Sequence, residues 1–314
     1  MISQAQKIGL CLLAVGSVAG VSVGAVAFKE SEQVQPVVKA TQTTINKNYV
    51  KMLFQDQVTW TSSGHDPVIH MWNVVFVSGS GYTSVSDVAE TGYTVITNDS
   101  AIDVAMTWSS MDGTYRNYVT DLPWYISSFS YKYYVHYTSD EYSTADLTAT
   151  LGNYKKDYVY DNNHNVSSTT DGTAASKDIN AYVLTYKNGD STLLTKSDVL
   201  DKTLYTTGSE EYTMPEAKEF VGWYSDSLLT TEFAAKTKIT ADTTIYGKFV
   251  VTASTFNTWI LAFEGGDKTT ANCSTNYQKA LGFYNSMTIE EQGKFTSANY
   301  PEGYARWQAW QRAN

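Results

Sequence analysis

With 314 residues, the chain is long enough for two or three modules, each able to bury its own core. Its formal net charge of −10 excludes nucleic acid as a partner, because neutralising phosphates needs clustered Lys and Arg, and the same shortage disfavours anionic lipid. Of only two cysteines, Cys11 lies in the apolar N-terminal segment, so cleavage there leaves Cys273 without a partner and stability must come from packing.

From Ile8 to Phe28 no charge occurs; Lys7 precedes the run and Lys29 and Glu30 end it. Residues 1–27 read as an export signal, with Ala25-Val26-Ala27 supplying small residues for cleavage before Phe28, or as an uncleaved signal anchor spanning the bilayer. Both readings put the rest of the chain at an extracellular or cell-surface location, with membrane contact only through this segment if it stays. Leu10 before Cys11 is too large for lipoprotein-type cleavage. Residues 28–48, rich in Gln, Thr, Ser and Asn, have no sustained apolar period and read as a flexible linker.

Residues 49–160 carry period-two apolar patterns, the mark of half-buried strands, and predict a β-sandwich-like domain. Ile102, Val104, Met106 and Trp108 alternate with small or polar residues, as do Tyr131, Tyr133, Val135 and Tyr137; Val68 to Val77 reads as a central strand. Residues 161–178, full of Asn, Ser, Thr and Asp, read as a polar linker and module boundary. A second β module is expected over 179–251. From 254 to 314 the period becomes helical, with Thr288 and Glu291 as a capping box, and Pro301 opening a last helix whose Tyr304, Trp307 and Trp310 pack inward. The whole is mainly β and multi-module, with a small α-helical C-terminal domain. No sortase-type Leu-Pro-x-Thr-Gly signal occurs, so anchoring at the C-terminus is not expected.

Within the second β module, Tyr182-Val183-Leu184-Thr185-Tyr186-Lys187-Asn188-Gly189, Phe220-Val221-Gly222-Trp223-Tyr224-Ser225-Asp226, Leu229-Thr230-Thr231-Glu232-Phe233 and Ile239-Thr240-Ala241-Asp242-Thr243-Thr244-Ile245-Tyr246 stand in order. Residues 181–250 thereby resemble the InlB B-repeat, or Listeria-Bacteroides repeat, of bacterial surface proteins. The resemblance implies a β-grasp-like fold and a spacer or protein-contact role. The sequence departs from it at Gly247, where Ala is usual, at Phe249, where Trp is usual, and at Asp190 in the turn. Read from size alone, Trp223, Phe233 and Phe249 form most of a core, and Gly222 allows a close backbone approach.

Residues 60–137 bear a weaker resemblance to starch-binding carbohydrate modules, through His65-Asp66-Pro67-Val68-Ile69-His70-Met71-Trp72-Asn73 and Met111-Asp112-Gly113-Thr114-Tyr115. Flat indoles cover the apolar faces of sugar rings while neighbouring polar groups bind hydroxyls, which makes Trp72, Trp108 and Trp124 glycan-binding candidates. The opposing expectation is that these rings fill the core, with Trp108 on the apolar side of its strand.

No zinc-helix, nucleophile-elbow or Cys-x-x-Cys motif is present, and Gly265-Gly266-Asp267-Lys268-Thr269 lacks the Gly before Lys of a phosphate loop. Asp161, Asn163 and Asn165 have calcium-loop spacing but Val166 stands where Gly is needed. His65, Asp66 and His70 read as satisfied or exposed rather than as metal ligands. No catalytic residue, metal or cofactor is expected, and the chain is not read as an enzyme. The expectation is a binding or adhesion protein that contacts a surface protein or a glycan.

Overall fold

The computed structural model describes residues 42–57, 67–91, 93–96, 100–137, 140–159, 166–170, 173–208, 210–263 and 271–314. The chain divides into two units, Met1–Thr41 and Gln42–Asn314. The first, with the stretch expected to act as an export signal or anchor, lies outside the described residues. The second is mainly β, with several sheets and a small C-terminal helical region. Among the described residues no helix is long and apolar enough to cross a membrane.

In chain order the strands are β1 (Thr44–Asn48), β2 (Lys51–Gln57), β3 (Val68–Phe76), β4 (Thr94–Ile96), β5 (Ala101–Ala105), β6 (Thr107–Asp112), β7 (Tyr115–Asp121), β8 (Ile126–Tyr137) and β9 (Asp140–Ser143). There follow β10 (Leu147–Thr150), β11 (Tyr154–Val159), β12 (Val166–Thr170), β13 (Ser176–Asn188), β14 (Ser191–Leu200), β15 (Thr203–Leu204), β16 (Glu219–Tyr224), β17 (Lys238–Ile239) and β18 (Thr243–Val250). The helices are α1 (Ala253–Leu261), α2 (Ala271–Ser286), α3 (Ile289–Lys294) and α4 (Pro301–Ala313).

Two sheets build the N-terminal body. One has the order β12-β11-β2-β7-β6, the other β10-β8-β3-β5-β4 with β9 on the far end of β8. Period-two alternation directs Met52, Phe54 and Tyr118 of the first and Ile69, Met71, Ile102, Tyr131 and Tyr133 of the second into one core. Phe54 and Tyr133 meet across it at 4.6 Å between ring centroids. The core also holds a polar cluster. Tyr131 donates to the buried Asp157 carboxylate at 2.8 Å, and Lys155 donates to the Thr148 carbonyl. β3 is central, as its apolar run predicts.

Leu184 pairs with both Lys196 and Thr243, so β14 and β18 occupy opposite edges of β13 and the sheet reads β14-β13-β18-β16. Its two middle strands run parallel. The hairpin β13–β14 closes through Gly189-Asp190, where only Gly189 takes positive φ (+57°). The Asp242 carboxylate accepts from Val183 N–H at 2.8 Å, beside the bulge in β13, and Asp226 accepts from the N–H of Thr230 and Thr231. Trp223 is buried against Tyr186, Tyr212 and Phe220. The close approach falls at Gly247 rather than Gly222. A Cβ on Gly247 would stand 2.4 Å from the Phe249 ring and 3.0 Å from Trp223, while one on Gly222 would meet nothing nearer than 3.9 Å.

Both expected linkers contribute strands. Thr44–Asn48, inside the stretch 28–48 expected to be flexible, pairs antiparallel with Ser176–Asn180, and Ile45 packs on the N-terminal core. One apolar side chain with a complete backbone ladder suffices to order a strand that its own period cannot announce. Within 161–178, Val166–Thr170 pairs with β11 and Ser176 opens β13. The polar composition there reflects an edge position rather than a boundary between independent modules.

Indeed the two β bodies share a core, since Ala181, Leu200 and Leu204 pack with Val50, Tyr82 and Trp124. Along this seam Trp124 Nε1 donates to the Asp201 carbonyl at 2.9 Å, Tyr82 Oη to the Lys202 carbonyl at 2.9 Å, and Leu204 N–H to the Ser80 carbonyl at 2.9 Å. Asp87 sits in the 3₁₀ turn Val85–Thr91 and pairs with Lys236 across the same seam. Burial raises the Asp87 pKa, but the Lys236 ammonium and the N–H groups of Thr83 and Ser84 outweigh it and hold the carboxyl below its usual 3.8, at about 2. The stabilisation is complete above the unfolded-state value and is lost as pH falls from about 4 to about 2, on the order of 2 kcal/mol. Thermal midpoints across this window should therefore drop more steeply in wild type than in Asp87→Asn; parallel profiles would show that the pair adds nothing.

α1 starts at a reciprocal capping box between Thr252 and Thr255. The box expected at Thr288 forms by half. Thr288 accepts from Glu291 N–H, but the Glu291 carboxylate turns to Ala253 N–H at 2.8 Å and caps α1 instead. Trp307 and Trp310 of α4 are buried, as their spacing predicts, and Arg306 donates to the terminal carbonyls of α1 at Ile260 and Leu261.

Candidate functional site

The face of the six-stranded sheet turned away from the core carries the most ordered polar surface. Register aligns Lys132 of β8, His70 of β3, Asp103 of β5 and Thr94 of β4 in one row, and Trp72 with Ser130 in the next. The Asp103 carboxylate lies 2.6 Å from His70 Nδ1 and accepts the Tyr134 hydroxyl. The His70 ring sits 5.8 Å from Trp72 and 6.2 Å from Tyr134. Asn73 takes positive φ (+52°), and its amide reaches the Ser130 hydroxyl at 3.5 Å. A half-buried indole thus stands beside imidazole, carboxylate, hydroxyl and amide groups, several fixed by their neighbours.

Trp108 lies elsewhere, and the structure corrects the expectation that its ring fills the core, for it stands exposed. The alternation holds through Met106, which is buried, but there the chain leaves the six-stranded sheet and β6 joins the edge of the other. A bulge between Trp108 and Ser110 then resets the register, so that Trp108 pairs with Tyr118 and Met111 with Arg116. Tyr118 and Arg116 share a face, so Trp108 and Met111 do too, and they stand 55% and 51% exposed.

Trp124, the third glycan-binding candidate, belongs to the core. Its ring is buried at the seam and its N–H is committed to Asp201. A cleft of about 640 Å³ runs along this seam, with Lys47, Lys196, Asp198, Trp124, Tyr186 and Tyr205 among its walls. The Lys196 ammonium lies 5.5 Å from the Tyr186 ring centroid. Trp72, Trp108 and Trp124 therefore occupy three different surfaces.

Sequence reasoning missed Asp103 and Tyr134 as partners of His70, and it missed Met111. Strand register supplies the first pair, and a bulge with no sequence signature supplies the second. His65, Asp66, Asp161, Asn163, Asn165 and Gly265 to Thr269 lie outside the described residues. Among those described, no three His, Cys, Asp or Glu side chains converge as metal ligands would.

No model of a known protein family matches the chain, and no curated protein matches it.

Proposed function

We propose that the chain is an extracellular or cell-surface binding or adhesion protein, in which a β-sandwich-like N-terminal body recognises the ligand and a B-repeat-like module of β-grasp type holds it as a scaffold. The observation that carries this is the cluster His70, Asp103, Tyr134 and Lys132 beside Trp72, a prearranged polar and aromatic face on the central strands of the sheet. The mixed order β14-β13-β18-β16 with a parallel central pair supports the β-grasp assignment. Most aromatic side chains of this module, though not Tyr224 or Tyr246, are spent on its own core, which supports the scaffold role.

A glycan ligand is the second reading, favoured by Trp72, whose indole is flanked by hydroxyl-binding groups. Beads coated with the full chain should adhere to bacterial or animal cell surfaces and to soluble polysaccharides. Adhesion lost after periodate treatment of the target identifies a glycan, and adhesion lost after protease identifies a protein. Trp72→Ala, if still folded by circular dichroism, should weaken binding by at least roughly tenfold, as truncation of an aromatic anchor does. No adhesion to any target would sink the binding proposal.

A further inference from the structure

Strand β6 ends its sheet, and among the described residues nothing pairs with its outer edge. All six of its residues, Thr107-Trp108-Ser109-Ser110-Met111-Asp112, are exposed. Natural edge strands are blunted by Lys, by Pro, by charges along their length or by bulges, and of these devices β6 has the bulge between Trp108 and Ser110. This one has neither Lys nor Pro, and its one charge, Asp112, stands at the end. In a chain of net charge −10 it is a place where two acidic copies can approach without direct repulsion.

We propose that β6 is a homodimer edge, pairing antiparallel with β6 of a second copy to join two five-stranded sheets into one. The argument for a second copy, rather than an unrelated strand, is self-complementarity. A two-fold axis between Ser109 and Ser110 sets Thr107 opposite Asp112, and Trp108 opposite Met111, in both directions at once. Because the bulge puts Trp108 and Met111 on one face, each indole lands on the other copy's thioether, an S–aromatic contact made twice. The new ladder would satisfy the open backbone groups of the edge and cover two of the three described large apolar side chains of the N-terminal body that are more than half exposed, the third being Val75. The His70–Trp72 face lies on the other sheet, so dimerisation leaves it open and doubles it, which raises avidity for a repetitive surface.

Sedimentation velocity of the full chain, in a density-matched non-ionic detergent over about 1–100 μM, tests the pairing. Wild type should show a concentration-dependent dimer, and Trp108→Lys and Met111→Glu should each raise the dissociation constant at least about tenfold with unchanged circular dichroism. Mixing the two variants should restore dimer, since the mixed pair sets Lys opposite Glu at one end and keeps Met opposite Trp at the other. A wild-type monomer throughout, a dimer indifferent to both substitutions, or variants that stay monomeric on mixing would each overturn the proposal.

Discussion

Replacing Gly81 with alanine is expected to remove about 3–5 kcal/mol of stability, enough to unfold much of the molecule near room temperature. Gly81 has φ +81°, and a Cβ there would stand 2.1 Å from the Leu204 carbonyl oxygen and 2.8 Å from the Leu204 carbonyl carbon. Those are backbone atoms of the opposing body, held by the Leu204 N–H to Ser80 carbonyl bond, so they cannot swing aside as a side-chain tip would. Gly79→Ala provides the control. It has φ +78° and no atom within 4 Å of a Cβ, so it should cost only the strain of a left-handed alanine, about 1 kcal/mol. Urea midpoints of the full chain, followed by tyrosine and tryptophan fluorescence, measure both. Because Ala181, Leu200 and Leu204 belong to the N-terminal core, the loss should appear in one transition covering both β bodies. Equal losses in the two variants would show that the close approach does not constrain the seam.

Period two located the core strands because the described buried residues of β3, β5 and β8 are apolar, and a helical period located the last sixty residues for the same reason. Position 108 failed because alternation carries no mark where a chain passes from one sheet to another; Val104 and Trp108 obey one period while belonging to different sheets. The polar stretches around Ile45 and Val166 failed because strands at the margin of a sheet are ordered by partner backbone, which composition does not encode. The candidate site was half legible. Trp72 and His70 stand out by residue type, whereas Asp103, Tyr134 and Lys132 join them only through cross-strand register. Trp124 looked like a sugar platform and is a structural clasp, since an indole N–H serves a backbone carbonyl as readily as a ligand.

Trp307→Ala should cost the helical region about 3–5 kcal/mol while leaving the β bodies standing. The indole is the hub of that core. It stacks with Tyr277 at 5.6 Å and Tyr284 at 5.2 Å, and it meets the edge of Phe256 at 5.6 Å, so truncation opens a void bounded by rings from α1 and α2. Rigid aromatics close such a void poorly, which puts the loss at the upper end for a large-to-small change. Trp307→Phe keeps one ring in place and should cost less than half as much. The consequence should stay local, because the apolar core of the helices draws on residues 251–310 alone. Its polar contacts to the second β body include exposed pairs such as Lys279–Glu216 at 3.2 Å and Thr252–Glu219 at 3.5 Å, each worth no more than about 1 kcal/mol. Thermal melts of the variant should therefore show an early loss of ellipticity at the helical band, followed by the β transition at its wild-type temperature. A single transition shifted as a whole would mean that the helical region is bound to the β bodies as tightly as those bodies are to each other.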